Sequence, residues 1–276
     1  MKALLRSPMA ISGLLILTLF LAVAALAPLL APRDPIEQNL SMRLARPGTE
    51  GHILGTDQLG RDIFSRILWG SRLSLLVGLA SVLIGFAIGV PLGLLAGYVG
   101  GWLDDLLMRL GDIQLALPFI LLVIAVIAAF GTSLLNTIII LGVASWVVYA
   151  RIVRSEVLAI KEREFVQAAG ALGAGHGRML LRHVLPNASG SLVVVSTLEL
   201  ARIIVAEASL SFLGLSGVSP EIASWGRMLA DGREVLFFNG WWVATFPGIA
   251  ITLVVLGINL FGDVLAEAFD PRSRRP

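Results

Sequence analysis

Four stretches of the chain carry no Asp, Glu, Lys or Arg: Ser7 to Pro32, Leu73 to Leu103, Ile113 to Ala150 and Val235 to Gly262. A hydrocarbon core is about 30 Å thick and a helix rises about 1.5 Å per residue, so one crossing takes about 20 apolar residues. The third stretch is too long for one crossing, and the polar break Gly131-Thr132-Ser133 with Asn136 divides it. A further run, Ala188 to Leu210, is largely apolar but holds Glu199, Arg202 and Glu207. The pattern predicts an all-α polytopic membrane protein with six spans.

Composition agrees. Of 276 residues, 57% are hydrophobic and 14% charged, against about a quarter charged in soluble domains, which excludes a water-soluble enzyme. The first span, Met9 to Leu30, follows Lys2 and Arg6 and ends near Ala25-Leu26-Ala27. That tripeptide resembles a signal-peptidase site, which makes a cleaved signal peptide the alternative, but the apolar run is longer than a signal-peptide core and further spans follow, so the segment reads as an uncleaved helix. With the N-terminus inside, the cytoplasmic segments carry Lys2, Arg6, Arg109, Arg151, Arg154, Lys161, Arg163, Arg178, Arg182, Arg272, Arg274 and Arg275. The outer segments carry Arg33, Arg43, Arg46, Arg61, Arg66, Arg72, Arg227 and Arg233, a smaller set. The positive-inside rule therefore places both termini in the cytoplasm.

Candidate chemistry is sparse. A net charge of +2 gives no nucleic-acid signal, and with no cysteine there is no thiol chemistry. The two lysines, Lys2 and Lys161, precede Ala3 and Glu162, whereas a phosphate-binding loop needs Gly-Lys-Ser or Gly-Lys-Thr. His176 and His183 lack a third ligand nearby. No catalytic, metal or cofactor site is expected, so any energy source for work lies in another chain.

Gly85, Gly89, Gly93 and Gly97 recur every fourth residue in the second span. Small residues at this spacing admit a close neighbour, and a drift of about 40° per step lets the ladder wrap toward more than one. In the fifth span, Glu199 and Arg202 are three apart and can pair, with Glu207 near the same face. Ionisable groups at membrane depth face the bundle interior or a watery path, so the group reads either as pathway lining or as an internal ion pair. Trp225, Phe237, Phe238 and Trp241 lie before the last span and read as interfacial anchors. The segment Arg151 to Asn187 reads as a short helix, a glycine bend at Gly173, Gly175 and Gly177, a second helix, then Leu185-Pro186. A helix held outside the bilayer by two spans suits contact with a soluble partner.

Within that segment Gln167-Ala168-Ala169, Gly173 and Leu185-Pro186 resemble the Glu-Ala-Ala…Gly…Leu-Pro loop of ABC importer permeases, with Gln167 in place of the acidic residue and His183 in place of Ile. Glu162 and Glu164 lie close enough to supply the missing charge. The stretch from His52 to Leu75, HILGTDQLGRDIFSRILWGSRLSL, resembles the dipeptide, oligopeptide and nickel branch of these permeases. SFLGL from Ser211, SWGRML from Ser224, FPG from Phe246, NLFGD from Asn259 and DPR from Asp270 continue the likeness in order. On the residues alone, Thr56 and Asp57 suit a helix cap, and Asp62 with Arg66 an i,i+4 pair. The segment then reads as an amphipathic surface helix with solvated charges.

The resemblance implies a type I ABC importer permease fold: residues 1–72 as an N-terminal helix and outer loop, and residues 73–276 as a five-helix core with a coupling loop at 151–187. It implies residence in a prokaryotic inner membrane, a homologous second permease, two cytoplasmic ATPase subunits and an extracytoplasmic solute-binding protein. Dipeptides or oligopeptides are the first expectation for the solute, nickel or other small solutes the second. The alternatives from other classes are a self-sufficient secondary transporter, for which paired carboxylates near the midplane are the signature, and a membrane enzyme, for which the sequence supplies no nucleophile and base.

Overall fold

In the computed structural model, residues 8–164, 166, 175–219 and 221–269 are described, and among them helices dominate and no strand is formed. In chain order the helices are α1 (Pro8–Leu30), α2 (Ile63–Val99), α3 (Gly101–Leu115), α4 (Phe119–Phe130), α5 (Leu134–Ala144) and α6 (Trp146–Lys161). They are followed by the single turn α7 (His176–Met179), then α8 (Leu185–Phe212), α9 (Trp225–Val235) and α10 (Trp242–Phe269).

Five units are long and apolar enough to cross a membrane: α1, α2, α5 with α6, α8 and α10. The third expected crossing differs. Instead of a straight helix over the start of the Ile113 run, α3 and α4 meet at 92°. Pro118 provides the break, because it lacks a donor and disfavours helix in the residue before it. With 12 residues, α4 spans only about 18 Å, so a sixth crossing exists only as a bent pair. The amphipathic α3 is tied to α6 by Asp104, which accepts from Arg154 Nε at 2.5 Å, and by an ion pair between Asp112 and Arg151.

The longest helix, α2, has 37 residues, about 55 Å, and so projects beyond the hydrocarbon. Its start is fixed by Asp62, whose side chain accepts from the Ser65 N–H at 2.8 Å. Its end is fixed by Gly100 at φ 68°. The largest apolar core joins α2, α4, α5, α6 and α8, including Val77, Leu141, Val153, Val157 and Ile203. A second core packs α1 and α10 against α2, α8 and α9 around Leu75, Ile204, Trp225 and Val254. Helix α1 touches α10 closely: a Cβ on Gly13 would stand 2.9 Å from Leu260 Cβ. A third, smaller core of Ile63, Met228, Val235, Trp242 and Val243 lies beyond the bundle at the end where α2 begins.

Candidate functional site

The fifth-span charges divide into a pair and a single residue. Glu199, buried, accepts from Arg202 Nη2 at 2.6 Å. The same guanidinium lies 4.1 Å above the Phe119 ring, a cation–π arrangement that offsets desolvation, and it reaches Ser145 Oγ at 3.4 Å. Arg202 remains about one-third exposed, facing a groove of about 450 Å³ bounded by Phe119, Leu198, Val205, Ser209 and Asn259. Glu207 stands apart, 1% exposed, accepting from Ser211 Oγ at 2.7 Å. One turn of α8 thus presents a cation to a groove while another buries a carboxyl against the bundle.

The glycines Gly85, Gly89, Gly93 and Gly97 all turn toward α5 and α6. A Cβ on Gly89 would lie 2.4 Å from the Trp146 carbonyl oxygen, one on Gly93 2.5 Å from that of Ala150, and one on Gly97 2.7 Å from Val157 Cβ. Gly85 faces the Gly142 carbonyl oxygen at 3.0 Å. The drift along the ladder does not bring in a second neighbour, because the partner is itself broken at Ser145 and its two halves follow the turn.

Of the segment 151–187, Gln167, Ala168, Ala169 and Gly173 lie outside the described residues. Its flanks are described. Glu164 is exposed, Leu185 half-buried and Pro186 exposed. Val166, Met179 and Val184 are buried in the main core, so both ends of the segment are seated in the bundle. Between α7 and α8, Leu180–Val184 widens to a π turn. Pro186 explains it: the ring cannot donate to residue 182 and crowds its carbonyl, and a wider turn relieves both.

Among the described residues, the loop between α1 and α2 together with the start of α2 holds the strongest polar constellation, and it differs from the expected surface helix. Residues 52–62 do not form a solvated surface helix. With the first turn of α2 they fold as a cap whose charges are buried: Asp57 2%, Arg61 3%, Asp62 2% and Arg66 1% exposed. Asp57 accepts from Arg61 Nε at 2.6 Å and from the N–H groups of Leu59 and Arg61. Arg61 also reaches Asp231 of α9 at 3.3 Å. Arg66 lies 3.7 Å from Asp57 and 4.0 Å from Asp231, rather than pairing with Asp62. Asp62 bonds His52 Nδ1 at 2.8 Å and caps α2, the role expected of Thr56 and Asp57. Arg227 completes the group, 3.1 Å from Asp231.

Burial holds the Asp231 carboxyl above its ordinary range, and Arg227, Arg66 and Arg61 pull it back only in part. Gly60, at φ 72°, admits no side chain, since a Cβ would fall 1.8 Å from the Asn39 carbonyl oxygen. Trp242 Nε1 clamps the cap to α10 by donating to the Thr56 carbonyl, and Trp225 Nε1 ties α9 to α2 by donating to that of Ile67, each at 3.0 Å. Trp225 is fully buried and packs edge-on to Phe20, so it is a core residue and not an interfacial anchor. Trp241, Phe237 and Phe238 are exposed.

Residues 89–275 match the family described as binding-protein-dependent transport system inner membrane component, and residues 1–47 match the N-terminal TM domain of oligopeptide transport permease C. A dipeptide transport system permease protein of Alkalihalophilus pseudofirmus is 44% identical over 99% of this chain and 89% of its own. A di/tripeptide transport system permease protein of Pseudomonas aeruginosa is 44% identical over 96% and 88%. A glutathione transport system permease protein of Pectobacterium atrosepticum is 42% identical over 98% and 89%. Among solved structures, a chain of the MetNI methionine ABC transporter, in inward facing conformations, superposes with a TM-score of 0.60 at 22% identity, covering 75% of this chain and 98% of that one.

Proposed function

The chain belongs to the family of binding-protein-dependent transport system inner membrane components, and from that premise we propose that it is the permease subunit of an ATP-driven importer of dipeptides or oligopeptides. The observation that carries the reading is the full-length likeness to permeases named for dipeptide and di/tripeptide transport. The chain pairs with a homologous second permease, and the solute path lies between the two. Two cytoplasmic ATPase subunits bind and hydrolyse ATP, and an extracytoplasmic binding protein delivers the solute. Both termini face the cytoplasm.

In this mechanism ATP binding closes the ATPases against the coupling segment, with Gln167, Ala168, Ala169 and Gly173 at the contact and Glu164 supplying charge beside it. The buried flanks Val166, Met179 and Val184 support a lever role, because a displacement at the contact is passed to α6 and α8 rather than lost in a loose loop. Tight packing of α2 on α6 through the Gly85 to Gly97 ladder makes these helices move as one body. Helix α8, with the Glu199–Arg202 pair facing its groove, lines part of the path. ATP binding opens the path outward to receive solute, and hydrolysis returns it inward.

Purification from membranes in mild detergent tests the assignment. An ATPase co-purifies with the native chain and is lost with Gly173→Pro and with Ala169→Asp, while the second permease is retained. Recovery of the chain alone, with gradient-driven uptake by it in liposomes, overturns the reading in favour of a secondary transporter.

A further inference from the structure

At the end of the bundle where α1 leaves and α2 enters, an open groove of about 850 Å³ separates the two helices. Its rim carries Arg33, Asp34 and Arg72, and its walls Trp69, Leu73 and Leu76. The Arg72 guanidinium lies 5.2 Å above the Trp69 ring, and Arg33 donates to the Glu50 carbonyl oxygen at 3.0 Å. Among the described residues neither guanidinium forms an ion pair. Asp34 spends one carboxylate oxygen on the Ile36 N–H at 3.0 Å. Two cations against one partly committed carboxylate leave the rim positive.

The groove opens onto lipid. Arg72 immediately precedes the charge-free run that begins at Leu73, so the rim lies at headgroup level. From Leu76, 57% exposed, the surface continues along α2 through Leu79 and Leu83, 43% and 66% exposed, a stripe at helical spacing running toward the bilayer centre.

We propose that this groove binds an anionic phospholipid of the outer leaflet. Its phosphate sits between Arg33 and Arg72, in the charge-assisted geometry that guanidinium groups give phosphates, and one acyl chain lies along Leu73, Leu76 and Leu79. The excess positive charge selects a net-negative headgroup over a zwitterion. The bound lipid bridges α1 to α2 just below the buried cap.

Native mass spectrometry of the delipidated complex, with the full chain and its companion subunits, tests this by titration with phosphatidylglycerol and, separately, with phosphatidylcholine of the same acyl chains. Each arginine is expected to contribute about fivefold to affinity. The tightest phosphatidylglycerol site therefore weakens about 25-fold in Arg33→Gln/Arg72→Gln and is unchanged in Arg46→Gln, which lies outside the groove. Should the double variant not assemble, Arg72→Gln alone decides, with about a fivefold loss. Binding by the variant within about twofold of native, or phosphatidylcholine binding as tightly as phosphatidylglycerol, overturns the proposal. So does absence of a saturable phosphatidylglycerol site, which makes the groove a contact for another protein. The readout does not depend on which solute is carried.

Discussion

Two sets of arginine–carboxylate pairs sit at different heights in this molecule, and they are built differently. In the cap between α1 and α2, Asp57, Arg61, Arg66 and Asp231 are each less than a tenth exposed and hold one another through several partners. On α8, Arg202 has one carboxylate, Glu199, an aromatic face below it, and one side open to a groove. A buried charge is tolerated when its lone pairs and donors are matched, and is costly when one partner is removed. The cap is thus a lock that joins the α1–α2 loop, α2 and α9. The α8 pair is a lighter tether on a face that can meet solute or a partner chain.

The largest break in this comparison is Asp57→Ala. It removes the carboxylate nearest to the buried Arg61 and Arg66 guanidiniums, and the expected loss is about 3–5 kcal/mol, read as a fall in melting temperature and in yield from membranes. A loss under about 1 kcal/mol would show that the cap charges are solvated after all. Next is Gly89→Val, which strikes the α2–α6 contact that both regions depend on. Overpacking against the Trp146 carbonyl costs about 1–3 kcal/mol, measurable in the same melting assay, and native-like melting would refute the close contact.

Arg202→Ala sharpens the contrast. Its guanidinium is one-third exposed, so stability falls by no more than about 1 kcal/mol, while solute uptake by the assembled transporter slows about tenfold, about 1.4 kcal/mol in the barrier. Full uptake with normal assembly would remove α8 from the path. The smallest effect belongs to Asp231. Its carboxyl is held above the ordinary range, so the folded chain takes up this proton more readily than the unfolded chain. That contribution to stability is present at low pH and is lost as pH rises through the raised value. The melting temperature of the native chain should therefore rise relative to that of Asp231→Asn, whose amide does not titrate, as pH falls from about 7 to about 4; a relative fall contradicts the assignment.

The spans were legible because charge-free runs report burial in lipid directly, and α1 and α8 begin and end within a few residues of the runs that announce them. The bend at Ala116 to Pro118 was not, since a continuous apolar run hides a change of direction inside it, although Pro118 was visible. The cap was the main surprise. Asp62 and Arg66 lie at a spacing that suits a surface helix, and the residue that makes this segment's charges an interior, Asp231, is 170 positions from Arg61 in the chain. No periodicity reaches that far. One signal was present in Gly55 and Gly60, both at positive φ and both closed over by backbone, which mark a folded loop better than a helix. Trp225 was misplaced for the same reason: a tryptophan near a span end looks interfacial until the partner that buries it, Phe20 of α1, is known.

Uptake by proteoliposomes decides whether the chain works within an ATP-driven importer. The chain is reconstituted with its companion permease and ATPases, supplied with the binding protein and a labelled dipeptide, and assayed with ATP inside, without ATP, and with an ion gradient alone. The account predicts accumulation only with ATP and the binding protein together, and its loss on Gly173→Pro. Accumulation driven by the gradient in the absence of ATPase subunits would contradict it.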